Sequence, residues 1–247
     1  MEYRKKKENS EQKLKFEDNT LGWHDAISDK LDKMRKYGQG FHISRRDDGI
    51  IGIMPIVTDS DTLLSYLEKK DIYQLYLNKM SENRKREWLS VRVLLKEILG
   101  EEKTIGYLPS GKPYLTDGSW KISISHTKGY AAVILDKKNE VSIDIEQISS
   151  RVNKIQDRFM NEKEKQNLSL EKELIHILLH WSAKESMYKI LDDEKIEFKT
   201  QLLLNPFEPK TNEWSKFKAK AKESEFTVHY FVSDDYVLTY ISTLDSR

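Results

Sequence analysis

Two acidic motifs about forty residues apart constrain the fold of this chain more than any other feature. The first, residues 141–146 (VSIDIE), alternates apolar and polar residues with period two, which is typical of a half-buried β-strand. Asp144 and Glu146 then share one face of the strand, roughly 6–7 Å apart. Two carboxylates at that separation repel each other unless a cation lies between them. The motif therefore predicts a strand whose polar face concentrates negative charge.

The second motif, residues 181–189 (WSAKESMYK), belongs to a predicted helix. An apolar stripe at helical spacing includes Glu185, and its other members are Leu174, Leu178, Trp181 and Tyr188. An unpaired carboxylate on the apolar side of a helix is costly. Together with Asp144 and Glu146, Glu185 suggests a site for a hard cation, for which Mg²⁺ is the natural candidate.

Each of these acids also has an ordinary structural explanation. Asp144 and Glu146 could form the solvent face of an edge strand. Glu185 precedes Lys189 by four residues, in the favourable order for an ion pair on a helix surface. The combination of the acids with the residues upstream favours a functional site.

Two further polar elements precede the acidic strand. Residues 110–115 (SGKPYL) form a predicted turn, and residues 121–127 (KISISHT) form a predicted strand that ends in a polar cluster. In this order and spacing, GKPYL, ISHT, IDIE and WSAKESMYK resemble the surfactin-type 4′-phosphopantetheinyl transferases. The resemblance extends over about residues 49–245.

The resemblance implies a reaction, a metal and a partner. These enzymes transfer the phosphopantetheine arm of coenzyme A to a serine of an apo acyl or peptidyl carrier protein and release adenosine 3′,5′-bisphosphate. By resemblance, Asp144, Glu146 and Glu185 would hold Mg²⁺. Glu185, or a metal-bound water that it orients, would be the base for the carrier serine. Lys189, one helical turn after Glu185, would reach a phosphate of the same ligand.

Further residues match family positions that contact coenzyme A. These residues are Lys112, Ser125, His126 and Lys184. The helix predicted at residues 82–99 opens with a basic cluster, in which Arg86 and then Lys85 are the best candidates for gripping coenzyme A. The alternatives are a surface lysine at position 184 and a solvated charged face on the basic helix.

Two positions need separate comment. The family usually has glycine at the position of Ser142, whose side chain would crowd the pyrophosphate or hydrogen-bond to it. Glu164 matches a family acid, but it also lies three residues after Asn161, which predicts a helix capping box equally well.

The composition excludes several other classes of protein. The 247 residues are 38% apolar and 34% charged with a net charge of +1, which gives no case for a nucleic-acid binder. The absence of cysteine excludes a disulfide framework and a thiolate nucleophile. No apolar run approaches the ~20 residues of a membrane span, and the first residues lack the apolar core of a signal peptide. We therefore expect a cytoplasmic protein.

The pattern of elements predicts an α+β fold. We expect strands near 49–56, 103–107, 120–126, 130–136, 141–146, 198–203, 214–221, 225–232 and 235–242. Helices are expected near 59–69, 72–78, 82–99, 161–169 and 171–191. Residues 1–48 form a charged extension, partly disordered or packed on the body, with weak helical periodicity at 23–34. The resemblance implies two similar α+β halves, 49–119 and 120–247, which are related by a pseudo-twofold axis with the ligand cleft between them. The second half carries the metal site.

Three functions compete at this point. The first is a monomeric Mg²⁺-dependent 4′-phosphopantetheinyl transferase. The second is a non-catalytic module on the same fold that binds coenzyme A or a carrier protein; Ser142 and the N-terminal extension favour it. The third is another Mg²⁺ enzyme acting on phosphates, which would leave the GKP and SH elements unexplained and lacks a phosphate-binding glycine loop.

Overall fold

The computed structural model describes residues 42–45 and 49–246. The predictions for residues 1–41, including the helical periodicity at 23–34, lie outside the described residues. None of the helices in the described part of the chain is long and apolar enough to cross a membrane.

The first sheet has four antiparallel strands in the order β1-β2-β6-β5. These strands are β1 (His42–Arg45), β2 (Gly49–Pro55), β5 (Lys121–Thr127) and β6 (Tyr130–Asp136). Between β2 and β5 the chain forms the helices α1 (Ser60–Ser65), α2 (Lys70–Leu77) and α3 (Glu82–Leu99), and then the hairpin of β3 (Ile105–Tyr107) and β4 (Pro113–Leu115).

The second sheet has five antiparallel strands in the order β7-β11-β10-β9-β8. Its strands are β7 (Val141–Gln147), β8 (Leu202–Leu204), β9 (Ser215–Ala221), β10 (Ser224–Val232) and β11 (Tyr236–Ser242). The helices of this region are α4 (Gln156–Phe159), α5 (Glu162–Gln166), α6 (Glu173–Leu191) and α7 (Phe198–Gln201), with 3-10 helices at Ser150–Lys154 and Thr243–Ser246.

Local sequence signals define the ends of α3 and its fit to the first sheet. The Ser81 hydroxyl accepts a hydrogen bond from the backbone N–H of Arg84, which caps the helix start, and Gly100 ends the helix in the left-handed conformation. Gly52 of β2 lies directly beneath this helix. A Cβ atom at Gly52 would come within 2.6 Å of Ile98 Cδ1, so glycine allows the close approach of α3 to the sheet.

The helix α6 packs across β7 and β11 of the second sheet. Its buried residues Ile177, Leu179 and Met187 belong to a core with the inner residues of the second sheet. On the other face of β7, Ile143 and Ile145 pack with Ile51 and Ala132 of the first sheet. Both faces of β7 are therefore covered, one by α6 and one by the first sheet.

Each sheet contains the same order of elements. In the first sheet, β2 precedes the long helix α3, and the later hairpin β5–β6 returns so that β6 pairs with β2. In the second sheet, β7 precedes the long helix α6, and the later hairpin β10–β11 returns so that β11 pairs with β7. The α+β class is confirmed, and the pseudo-twofold relation stays a prediction. The boundary predicted at residue 120 separates β5 and β6 from their pairing partner β2, and as a domain boundary it also stays a prediction.

Most of the predicted elements are present, with four differences. Strand β1 (His42–Arg45) was not predicted, because it lies in the segment that the sequence analysis assigned to the charged extension. Residues 198–201 form a helix instead of a strand, and only residues 202–204 of that region enter the sheet. The predicted turn at 110–115 contains the short strand β4, whose pairing with β3 is not visible in a local pattern. The short helices between residues 150 and 159 were not predicted, because segments of four or five residues carry too little periodicity.

Candidate active site

Asp144 lies on β7 and is only 4% exposed. Its Oδ1 accepts hydrogen bonds from the hydroxyl of Ser125 at 2.9 Å and from the ammonium of Lys189 at 2.7 Å. Its Oδ2 is buried and has no hydrogen-bond partner. The explanation of Asp144 as part of a solvent-facing strand surface is therefore wrong, because α6 covers that face.

Glu146 follows on the same face and is half-buried. Its Oε1 accepts a hydrogen bond from the indole N–H of Trp181 at 2.8 Å, and its Oε2 accepts one from the hydroxyl of Thr127 at 3.3 Å. Burial raises the pKa of Glu146, the charge of Asp144 raises it further, and the bonds from Trp181 and Thr127 oppose this shift. Both oxygens of this carboxylate are thus held by donors from other elements.

Glu185 lies on α6, where burial raises its pKa to about 7. The negative charge of Asp144 acts in the same direction, as does Glu146 more weakly, whereas Lys189 lowers the pKa. The Lys189 ammonium donates to Asp144 and to the carbonyl oxygen of Ile143, at 2.7 and 3.0 Å. Lys189 therefore joins α6 to β7, and a simple surface pair with Glu185 does not account for its position.

The three carboxylates are ligands of the type that a divalent cation prefers, but their present positions do not form a complete metal site. Among residues 42–45 and 49–246, no group of three or more His, Asp or Glu side chains is arranged to hold a metal ion. Two features nevertheless fit a cation at Asp144, Glu146 and Glu185. The Oδ2 atom of Asp144 is buried without a partner, and burial, assisted by the charge of Asp144, raises the pKa of both glutamates. Carboxylate oxygens are also the ligands that Mg²⁺ prefers. The magnesium site stays a prediction.

Two cavities lie on either side of the turn at residues 110–113. One of about 170 Å³ is lined by Lys112, Ser123, Tyr188 and Lys189, among others. The other, of about 150 Å³, is lined by Arg84, Trp88, Arg92, Tyr107 and His126, among others. Both cavities share Gly111, Pro113 and Ile124, so they adjoin, and each contains cationic side chains. Acids line them as well, namely Asp192 and Glu194 in the first cavity and Glu87 in the second.

His126 and Lys112 already have partners at these cavities. The guanidinium of Arg84 lies 2.7 Å from His126 Nε2, which must accept because arginine only donates. Burial lowers the pKa of His126, with Glu87 opposing and Arg84 reinforcing that shift. Lys112 donates to the carboxylate of Glu140 at 3.1 Å. Both predicted contacts thus lie beside a cavity.

The basic start of α3 is arranged differently from the sequence prediction. Arg86 donates to the carbonyl oxygens of Thr58 and Ile56, each at 2.9 Å, so its guanidinium fastens α3 to the segment after β2. Lys85 pairs with Glu82 at 3.7 Å. Neither residue lines the two cavities, whereas Arg84 does.

Lys184 is fully buried and points away from the three carboxylates. Its ammonium donates to Glu164 at 2.8 Å and to the carbonyl oxygens of Phe159 and Phe198. The structure therefore does not bring Lys184 to the site, nor does it place the side chain on the surface. Glu164 also forms the predicted capping box with Asn161, which explains this acid without a ligand.

Ser142 is fully buried, and its hydroxyl has no hydrogen-bond partner. A ligand that approaches from solvent does not meet this side chain, so the expected crowding of the pyrophosphate has no support in this arrangement.

Sequence reasoning missed several residues that contact the predicted site residues. These are Arg84, Glu87, Thr127, Glu140 and Trp181. Trp181 and Thr127 lie inside quoted motifs and on the same stripe or strand end as predicted site residues, which was a usable signal. The contacts of Arg84 and Glu140 join residues 42 and 28 positions apart, and no local pattern indicates them.

A comparison with known protein families finds a match in the region of the chain that contains the three carboxylates. Residues 140–241 match the model of the 4′-phosphopantetheinyl transferase superfamily. The matched segment contains β7, α6 and the rest of the second sheet, and with them Asp144, Glu146, Glu185 and Lys189. The match supports the superfamily and phosphopantetheine transfer in general. No individual curated protein matches the chain.

Proposed function

We propose that this protein is a Mg²⁺-dependent 4′-phosphopantetheinyl transferase of the surfactin type. It transfers the phosphopantetheine arm of coenzyme A to a serine of an apo acyl or peptidyl carrier protein and releases adenosine 3′,5′-bisphosphate. The observation that carries this proposal is the convergence of Asp144, Glu146, Glu185 and Lys189 within the segment that matches the superfamily.

The reaction places clear demands on the site. The serine oxygen forms a bond to the phosphorus that carries the pantetheine arm, and the bond from that phosphorus to the bridging oxygen breaks. The serine proton needs an acceptor, and the leaving phosphate carries the displaced charge. Mg²⁺ held by Asp144, Glu146 and Glu185 would neutralise charge on the two phosphates.

Each demand is assigned to a side chain of the candidate site. Glu185, or a metal-bound water that it orients, would accept the proton of the carrier serine. Lys189 lines the 170 Å³ cavity, and its ammonium would offer positive charge to a phosphate. Arg84 and His126 in the adjoining cavity would hold another phosphate of coenzyme A, with Lys112 at the turn between the cavities.

The remaining parts of the proposal follow from the family. The protein acts in the cytoplasm as a monomer built of two α+β halves, binds no nucleic acid or membrane, and recognises an apo carrier protein. The repeated order of strand, long helix and hairpin in the two sheets supports the two-half arrangement.

Intact-mass measurement of an apo acyl or peptidyl carrier protein tests the proposal. We expect the carrier to gain the mass of one phosphopantetheine arm after incubation with the protein, coenzyme A and Mg²⁺, and to gain nothing with EDTA or with Asp144→Ala. Glu225→Gln, at an exposed position of β10, is the control that keeps full transfer.

Failure of transfer with every carrier, despite measurable coenzyme A binding, would refute the proposal in favour of a non-catalytic binding module. The burial of Ser142 weakens that alternative, because this residue was one of its two supports in the sequence, together with the N-terminal extension.

A further inference from the structure

The edge strands β5 and β7 of the two sheets are joined through side-chain hydroxyls. The backbone N–H groups of Ile143, Ile145 and Gln147 donate to the hydroxyls of Ser123, Ser125 and Thr127, at 3.2, 3.3 and 3.1 Å, respectively. Each donor lies 20 residues after its acceptor. We call Ser123, Ser125 and Thr127 the hydroxyl ladder. It satisfies three N–H groups on the edge of β7 that does not pair with β11, groups that would be costly to bury alone.

The same hydroxyls also bind the acids of β7. Ser125 donates its hydrogen to Asp144 at 2.9 Å, and Thr127 donates its hydrogen to Glu146 at 3.3 Å. A hydroxyl has one hydrogen to donate, so each of these groups uses its donor on the carboxylate while it accepts from the next backbone N–H. Each hydroxyl oxygen is thus bonded both to the carboxylate of an acidic residue and to the backbone N–H of the residue that follows it.

One member of the hydroxyl ladder does not bind an acid of β7. Its first member, Ser123, accepts from the backbone N–H of Ile143, and the residue before Ile143 is Ser142, which has no carboxylate. Ser123 therefore contributes to the contact between the sheets, whereas Ser125 and Thr127 contribute to both the contact and the acids.

We propose that Thr127 and Ser125 are positioning residues that orient Glu146 and Asp144 for the divalent cation and the pyrophosphate. This inference depends on the function proposed above. Ser125 then acts on coenzyme A through Asp144 and not by direct contact. Thr127 of β5 and Trp181 of α6 each donate a hydrogen bond to a different oxygen of Glu146. The orientation of this carboxylate is therefore set by two elements of the fold.

Thr127→Val tests the proposal because it removes the hydroxyl and keeps the shape and branching of the side chain. Thr127→Ser is the rescue variant because it restores the hydroxyl. Thr227→Val is the matched control: Thr227 lies on β10, and its hydroxyl accepts from the Lys218 ammonium at 2.8 Å, outside the ladder. The melting temperature and near-UV circular dichroism of all variants verify that they fold.

Two measurements are made on each variant. Hydrogen exchange of the peptide that contains Gln147 reports the backbone bond, and calorimetric titration with Mg²⁺ alone reports the orientation of the carboxylates. Loss of a partner that orients a metal ligand typically costs about 10–100-fold in metal affinity. We expect Thr127→Val to exchange faster at Gln147 and to weaken Mg²⁺ binding by at least about 10-fold, whereas Thr127→Ser and Thr227→Val resemble the unmodified protein.

The outcomes separate this proposal from the proposed function. Unchanged exchange at Gln147, or faster exchange with unchanged Mg²⁺ binding, would overturn the positioning role. The role would also be overturned if Thr127→Ser behaved like Thr127→Val, or if the unmodified protein bound no Mg²⁺. Hydroxyl-dependent Mg²⁺ binding in a protein that transfers no phosphopantetheine would support the ladder and refute the transferase.

Discussion

Replacement of Glu185 by glutamine should stabilise the protein at alkaline pH while it removes activity. Burial, assisted by the charge of Asp144, raises the pKa of Glu185 from 4.5 to about 7. A raised carboxyl pKa means that the folded protein holds the proton more tightly than the unfolded chain does. The stability that this group contributes is therefore complete below pH 4.5 and is lost as the pH rises through about 7.

The size of the effect follows from the two pKa values. The interval between 4.5 and about 7 corresponds to an upper limit of about 3 kcal/mol, at 1.36 kcal/mol per pH unit. Glutamine has the same shape and does not ionise, so the Glu185→Gln variant escapes this loss. At about 2–4 °C per kcal/mol for a domain of this size, the gain at pH 8 relative to pH 4.5 is up to about 10 °C in melting temperature.

Urea denaturation in EDTA at a series of pH values between 4.5 and 8 measures the difference in free energy of unfolding between Glu185→Gln and the unmodified protein. The free energy of unfolding of Glu185→Gln should rise relative to the unmodified protein as the pH increases. The exposed variant Glu225→Gln should show no such trend. Saturating Mg²⁺ should then reverse the order, because only the unmodified protein gains a complete set of ligands.

Two results would refute this reasoning. A stability difference that does not change with pH would mean that the site does not disfavour the Glu185 charge. Near-full transfer by Glu185→Gln with Mg²⁺ would mean that this carboxylate is neither a metal ligand nor the base.

Three further predictions concern residues outside the three carboxylates. Lys184→Met should lower the free energy of unfolding by about 3–5 kcal/mol in urea denaturation, because it leaves the buried Glu164 without its cation. Calorimetry should find the affinity of this variant for coenzyme A unchanged, and a weakened affinity would restore the contact expected from the sequence. Arg84→Gln should weaken coenzyme A binding by about 10-fold in the same assay, as expected for a charge-assisted phosphate contact of about 1.4 kcal/mol, and an unchanged affinity would exclude the cavity beside His126. Gly52→Val should cost about 1–3 kcal/mol in thermal unfolding, because its side chain overlaps Ile98 Cδ1 of α3; full stability would mean that α3 can move away from the sheet freely.

The sequence predicted the acidic strand well because the relevant information is local. Period-two alternation placed Asp144 and Glu146 on one face, and helical spacing placed Glu185 on the buried stripe of α6. The burial of Asp144 was not predictable, since it depends on α6, which is about forty residues later in the chain. The same pattern on an uncovered edge strand would have left the carboxylate in water.

The lysines show where the limit of local reasoning lies. Lys184 and Lys189 belong to the same motif, yet Lys184 enters the core beneath α5 while Lys189 reaches the edge of β7. The difference is set by Glu164, whose carboxylate caps α5 and receives the Lys184 ammonium. A motif identifies the residue types, but the partner across the fold decides which lysine is available to a ligand.

The candidate site depends on both sheets, although the superfamily match covers only residues 140–241. That segment supplies the three carboxylates and Lys189. The groups that hold them, Ser125 and Thr127, come from β5 of the first sheet. Without β5, the N–H groups at the edge of β7 would lose their acceptors, and Asp144 would keep only Lys189 as a partner. The first sheet therefore supplies the hydroxyl groups that hold two acids of the second sheet in their present positions.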